Sequence, residues 1–92
     1  MEIENKMAFI TGGSGGPGSV IALRLATTGA HIAISYGQNL SAAEKIREQI
    51  ISMGRNCCIV KMDQREPQSI LGSVDHVVSE LGGIDILINN AA

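Results

Sequence analysis

Ninety-two residues with a hydrophobic fraction of 45% and a net charge of −2 allow one small globular domain, or part of a larger one, and exclude a disordered chain. No basic block or aromatic stacking platform is present, which argues against nucleic acid as a partner. The apolar runs fall short of a membrane span and residues 1–6 carry no signal-peptide pattern, so a soluble, cytoplasmic protein is expected. Residues 7–11 read as a buried first strand. Residues 19–28 read as the first helix, with Val20, Leu23 and Ala26 available to pack inward and Gly29 as a stop. A second short strand covers 31–35, followed by a turn at Gly37-Gln38-Asn39. Ser41-Ala42-Ala43-Glu44 has the form of a capping box, and Ala43, Ile46, Ile50 and Met53 give the next helix one apolar face before Gly54. Glu44, Lys45, Arg47, Glu48 and Arg55 read as its solvated face and exit. A third strand covers 57–62. Pro67 suits the first turn of a third helix whose buried face is Ile70, Val74, Val77 and Leu81. Residues 84–89 form the fourth strand.

The order is βαβαβαβ, with connections long enough for right-handed crossovers. The expected fold is therefore α/β: a partial doubly wound, Rossmann-type parallel sheet with strand order 3-2-1-4. The first two helices then cover one face and the third covers the other. Strand 4, apolar and suited to a central place, becomes an edge. Residues 1–92 read as the N-terminal part of a single dinucleotide-binding domain, cut before its second half. Cys57 and Cys58 are adjacent in a strand and should point to opposite faces. With no CxxC and no nearby histidine, they read as small buried residues in a reducing compartment and not as a metal or redox pair. No metal site is expected. His31 and His76 stand apart from any nucleophile and read as structural or surface residues.

The chemistry lies in Thr11-Gly12-Gly13-Ser14-Gly15-Gly16-Pro17-Gly18, placed between the first strand and the first helix. A loop that receives a pyrophosphate needs close backbone approach, which glycines allow. It also needs amides aimed at the anion, which a helix N-terminus supplies. Alone, a glycine run is also compatible with a plain loop; its place in the βα unit favours a nucleotide. No Gly-Lys-Ser/Thr follows, so it is not a P-loop.

The spacing Thr-Gly-x-x-x-Gly-x-Gly at 11–18, Asp63 just after strand 3, and Asn89-Asn90-Ala91 after strand 4 resemble the short-chain dehydrogenase/reductase family. Within it, the chain looks most like the 3-oxoacyl-acyl-carrier-protein reductases and glucose-dehydrogenase-like members. The resemblance implies a nicotinamide dinucleotide as ligand. Gly12, Ser14, Gly15, Gly16, Pro17 and Gly18 would surround the pyrophosphate and adenosine ribose. Asp63 and Gln64 would lie beside the adenine, and Asn90 and Ala91 near the nicotinamide-side ribose. Thr11 and Asn89 would tie the central strands together. Two departures stand out. Pro17 occupies a position that is usually aliphatic and has no amide hydrogen, so one bond worth about 1.5–3 kcal/mol is absent there. Ala92 replaces the usual glycine.

A carboxylate at the end of strand 2 favours NAD, because it bonds the ribose hydroxyls and repels a 2′-phosphate. Tyr36 stands there instead, and Gly15 fills the place of an arginine that NADP-preferring members often carry. The lean is toward NADP, with NAD as the alternative. The Ser14 and Tyr36 hydroxyls are candidates to bind the phosphate; equally, Tyr36 is suited merely to cover the adenine edge. Family catalysis uses a Tyr-x-x-x-Lys pair and an upstream serine, all beyond the Asn-Asn-Ala-Gly element. The only tyrosine is Tyr36, with Leu40 four residues on, so no catalytic residue is expected in this chain. The expected function is the cofactor half of a carbonyl/alcohol oxidoreductase. The alternative is a truncated, non-catalytic fragment that binds nucleotide or pairs, with itself or another subunit, through the strand-4 edge, and a third possibility is a fragment with no function at all.

Overall fold

The computed structural model describes residues 2–90. Four parallel strands, β1 (Met7–Thr11), β2 (His31–Tyr36), β3 (Cys57–Lys61) and β4 (Ile86–Asn89), lie in the order β3-β2-β1-β4. They alternate with α1 (Gly16–Thr27), α2 (Leu40–Ser52) and α3 (Pro67–Leu81). The expected topology holds: β1 and β2, apolar and buried on both faces, must be joined by helices that cover them, while β3 and β4 flank them as partly exposed edges.

Strand alternation divides the core in two. Ala8, Ile10, Ile32 and Ile34 pack with Ala22, Ala26, Ala43 and Ile50 on the α1/α2 face. Phe9, Ala33, Cys58 and Met62 pack with Val77 on the α3 face. Cys57 turns to the first cluster and Cys58 to the second, both as free thiols. Burial pushes the Cys57 thiol up to about 12, and burial likewise raises Cys58.

The helices correct several expectations. α1 begins at Gly16, not at Ser19, because Pro17 fits a first turn where no amide partner is needed. Its inward stripe is Gly18, Ala22 and Ala26, so Val20 falls on the far side and is 59% exposed. The capping box does not form. Asn39 is the N-cap of α2 and its side-chain oxygen accepts the Ala42 amide at 3.0 Å, which places Ser41 inside the helix. Met53 is the C-cap residue of α2 and leaves the apolar stripe, 41% exposed. Ile70 is exposed as well, since α3 packs on β2 and β3 and leaves the β4 side of its face open. Arg47 and Arg55 are not simply solvated. The Arg47 Nε is buried, and the Arg55 Nη1 donates to Asn5 Oδ1 at 2.9 Å and to the Gly29 carbonyl at 3.1 Å. Strand boundaries also shift: β2 runs on to Tyr36, β3 stops at Lys61, and β4 starts only at Ile86. Among the described residues, no helix is long and apolar enough to cross a membrane.

Candidate functional site

The crossovers through α1 and α2 run outward from β1, and the one through α3 returns to its other side. The carboxyl ends of β1 and β4 therefore flank a switch point in strand order, where open α/β sheets leave a crevice. The glycine loop lies there, fixed from both neighbours. The Gly12 amide donates to Ser35 Oγ at 2.9 Å and the Gly13 amide to the Ser35 carbonyl at 3.1 Å, which ties the loop to β2. On the other side, Asn90 Nδ2 donates to the Gly12 carbonyl at 3.2 Å, and the Asn90 amide to Thr11 Oγ1 at 3.0 Å. Thr11 Oγ1 donates to Asn89 Oδ1 at 3.1 Å. Thr11 and Asn89 thus join β1 to β4. Asn90 holds the loop itself.

The loop glycines divide into two kinds. A Cβ at Gly18 would run into the Gly12 carbonyl and stand 2.6 Å from Asn90 Nδ2, so α1 can enter the loop this closely only without a side chain. Gly15 and Gly16 face open space, with nothing within 4 Å of an added Cβ, and Gly16 has φ +54°. Gly15 is the N-cap of α1. It offers no side chain to the first-turn amides, and no acidic residue occupies that turn. The positive end of the helix dipole is left facing this opening. Such a cradle fits an anionic group that comes close to the backbone. Pro17 removes one amide from it.

Beside the loop, a cavity of about 470 Å³ lies between the ends of β2 and β3. Gly12, Tyr36, Asp63 and Gln64, all expected at the site, line it together with Lys61 and Arg65. Ser14 does not face this cavity; it lines the adjacent depression toward Lys45 and Ile46 of α2. Ala91 lies outside the described residues. The loop that carries Asp63 is pinned, because the Asp63 amide donates to Ser69 Oγ at 2.8 Å. The Asp63 carboxylate takes the Arg65 guanidinium in two parallel bonds, Nε to Oδ1 at 3.0 Å and Nη2 to Oδ2 at 3.1 Å. Hydrogen bonds from Arg65 hold its carboxyl below the ordinary range. Lys61 and Ser35 escape sequence reasoning, because their place depends on strand register, and Arg65 because its role comes from its ion pair with Asp63. The one available signal for Lys61 is a charge ending an otherwise apolar strand. Among the described residues, no three His, Cys, Asp or Glu side chains gather to hold a metal.

A doubly wound sheet with an open, uncapped glycine loop at its switch point defines a nucleotide-binding class of α/β protein. The sequence pattern of the family described as short chain dehydrogenase matches residues 6–92, and the chain belongs to that family. A short-chain dehydrogenase/reductase of a Cladobotryum species, FrzI, is 38% identical over 87 residues, covering 95% of this chain and 34% of the relative. A short chain dehydrogenase from Burkholderia cenocepacia, solved in complex with NADP, is 38% identical with a TM-score of 0.95; the match covers all of this chain and 38% of that one. A blue fluorescent protein from a metagenomic library, solved with NADPH, is 33% identical with a TM-score of 0.96, again over all of this chain and 38% of that one. The chain thus spans about a third of the length of the relatives it matches.

Proposed function

We propose that this chain is the nicotinamide-dinucleotide-binding part of a short-chain oxidoreductase domain. The observation that carries the reading is the open face of Gly15 and Gly16 at the uncapped N-terminus of α1. Gly12, Gly15, Gly16 and Gly18, with Pro17, would form the pyrophosphate seat, and Ser14 its rim toward α2. Tyr36, Asp63 and Gln64 would border the adenosine, and Asn90 and Ala91 the nicotinamide-side ribose. The parent reaction is interconversion of a carbonyl and an alcohol. When bound, the dinucleotide supplies the hydride chemistry; the residues named here bind and orient it. None of them is assigned a proton-transfer role. NADP is favoured over NAD because β2 ends in Tyr36 where a carboxylate would repel a 2′-phosphate. The relatives solved with NADP and NADPH support the same choice. A cytoplasmic setting accords with two free thiols.

Titration of NADPH fluorescence tests the reading, with Gly15→Asp as control. The added carboxylate enters open space at the helix N-terminus, so the variant should melt like the parent and bind no dinucleotide. A parent chain that melts cooperatively yet binds neither NADPH nor NADH would overturn the proposal. A second reading, a non-catalytic fragment that pairs through β4, is favoured by one feature: Leu87 is 62% exposed on an edge strand.

A further inference from the structure

Lys61 ends β3 directly beside Tyr36, the last residue of β2, in the parallel register Tyr36↔Lys61. Alternation along β3 puts it on the same face as Cys57 and Ile59, the face that α1 and α2 cover. At the strand end it is exposed, and it borders the same cavity as Tyr36, Gly37 and Gln38. Among the described residues no carboxylate pairs with it. The one carboxylate in the cavity wall, Asp63, is already engaged by Arg65 in a two-bond ion pair. The wall therefore holds two cations and one anion, and the uncompensated charge is the Lys61 ammonium.

Resting on the dinucleotide reading above, we propose that Lys61 is a specificity-determining residue that binds the 2′-phosphate of the adenosine ribose. In a doubly wound fold the ribose hydroxyls are read at the end of the second strand, by a carboxylate for NAD and by a nearby cation for NADP. Here β2 carries no charge at that point, and the register brings a cation to it from the neighbouring strand. A lysine suits this position, because its flexible stem spans the gap from β3 and its ammonium pairs with phosphate as a point charge. Arg65 contributes by a different route, since it neutralises the carboxylate that would otherwise repel the same phosphate.

Calorimetric titration with adenosine 2′,5′-bisphosphate and with AMP, on the parent chain, Lys61→Gln and Lys61→Arg, tests this. The parent should prefer the bisphosphate by roughly tenfold or more, the effect of one charge-assisted contact. Lys61→Gln should abolish the preference and leave AMP affinity unchanged, while Lys61→Arg should retain it. Equal affinities in the parent, or a preference that survives Lys61→Gln, would overturn the assignment and leave the dinucleotide reading standing. Binding of neither nucleotide by the folded parent would overturn both.

Discussion

A methyl group on Gly18 would enter the space held by the Gly12 carbonyl and the Asn90 amide, and so push apart the contact that joins α1, the loop and β4. Gly18→Ala should therefore destabilise the chain by about 1–3 kcal/mol, the usual cost of overpacking a closed site. Gly15→Ala adds the same atom to open space at an extended backbone position, and should change stability by less than about 0.5 kcal/mol. Urea denaturation of the two variants checks the contrast, and equal losses would mean that the loop is not packed as described. The sequence makes the glycine pattern legible, but not which glycines close the structure and which leave it open. That division depends on Asn90, seventy-eight residues from Gly12, folding back to meet it. The same limit explains Lys61. A search for charges near Tyr36 along the chain finds none, whereas the β2–β3 register puts one directly alongside.

At the level of the elements, the type and order of every helix and strand follow the alternating pattern, and the errors fall at their ends and in which face a helix buries. The capping box failed for a geometric reason. Asn39 and Ser41 are both competent caps, and the chain chooses the one that starts the helix earlier and adds Leu40 to it. This choice can be measured. Asn39→Ala should cost about 1 kcal/mol in a thermal or urea melt, while Ser41→Ala, which removes a hydroxyl from an exposed helical position, should be neutral or slightly stabilising. The reverse ranking would restore the Ser41 cap. Val20 failed for another reason. Three apolar residues at roughly helical spacing fit more than one phase, and the phase of α1 is fixed by Gly18 pressed against the loop, not by the hydrophobic pattern.

Across the whole molecule, the two faces of the sheet are unequally covered. Two helices shelter the face that bears Ile10, Ile32 and Ile34, while α3 alone shelters the other, above β2 and β3. Beside the β1/β4 half of that second face, Phe9 and Leu87 of the sheet and Ile70 and Val74 of α3 line a cavity of about 450 Å³, whose wall also takes in Thr11, Gln64, Arg65 and Asn89. Within the described residues, nothing pairs with the outer edge of β4. An open strand edge next to exposed apolar side chains is the usual starting point for association. The chain should therefore bind a hydrophobic dye and sediment with a concentration-dependent mass. Leu87→Lys puts a charge at the centre of this surface, in a side chain that contributes little to the core because most of it is already in water. It should reduce both dye binding and self-association, with a melt within about 0.5 kcal/mol of the parent. If the parent proves monomeric at all concentrations and silent to the dye, β4 is not an association edge and the pairing reading falls. If Leu87→Lys lowers association while NADPH binding persists, the β4 surface and the glycine loop act independently, although Asn90, just past β4, holds the loop at the Gly12 carbonyl.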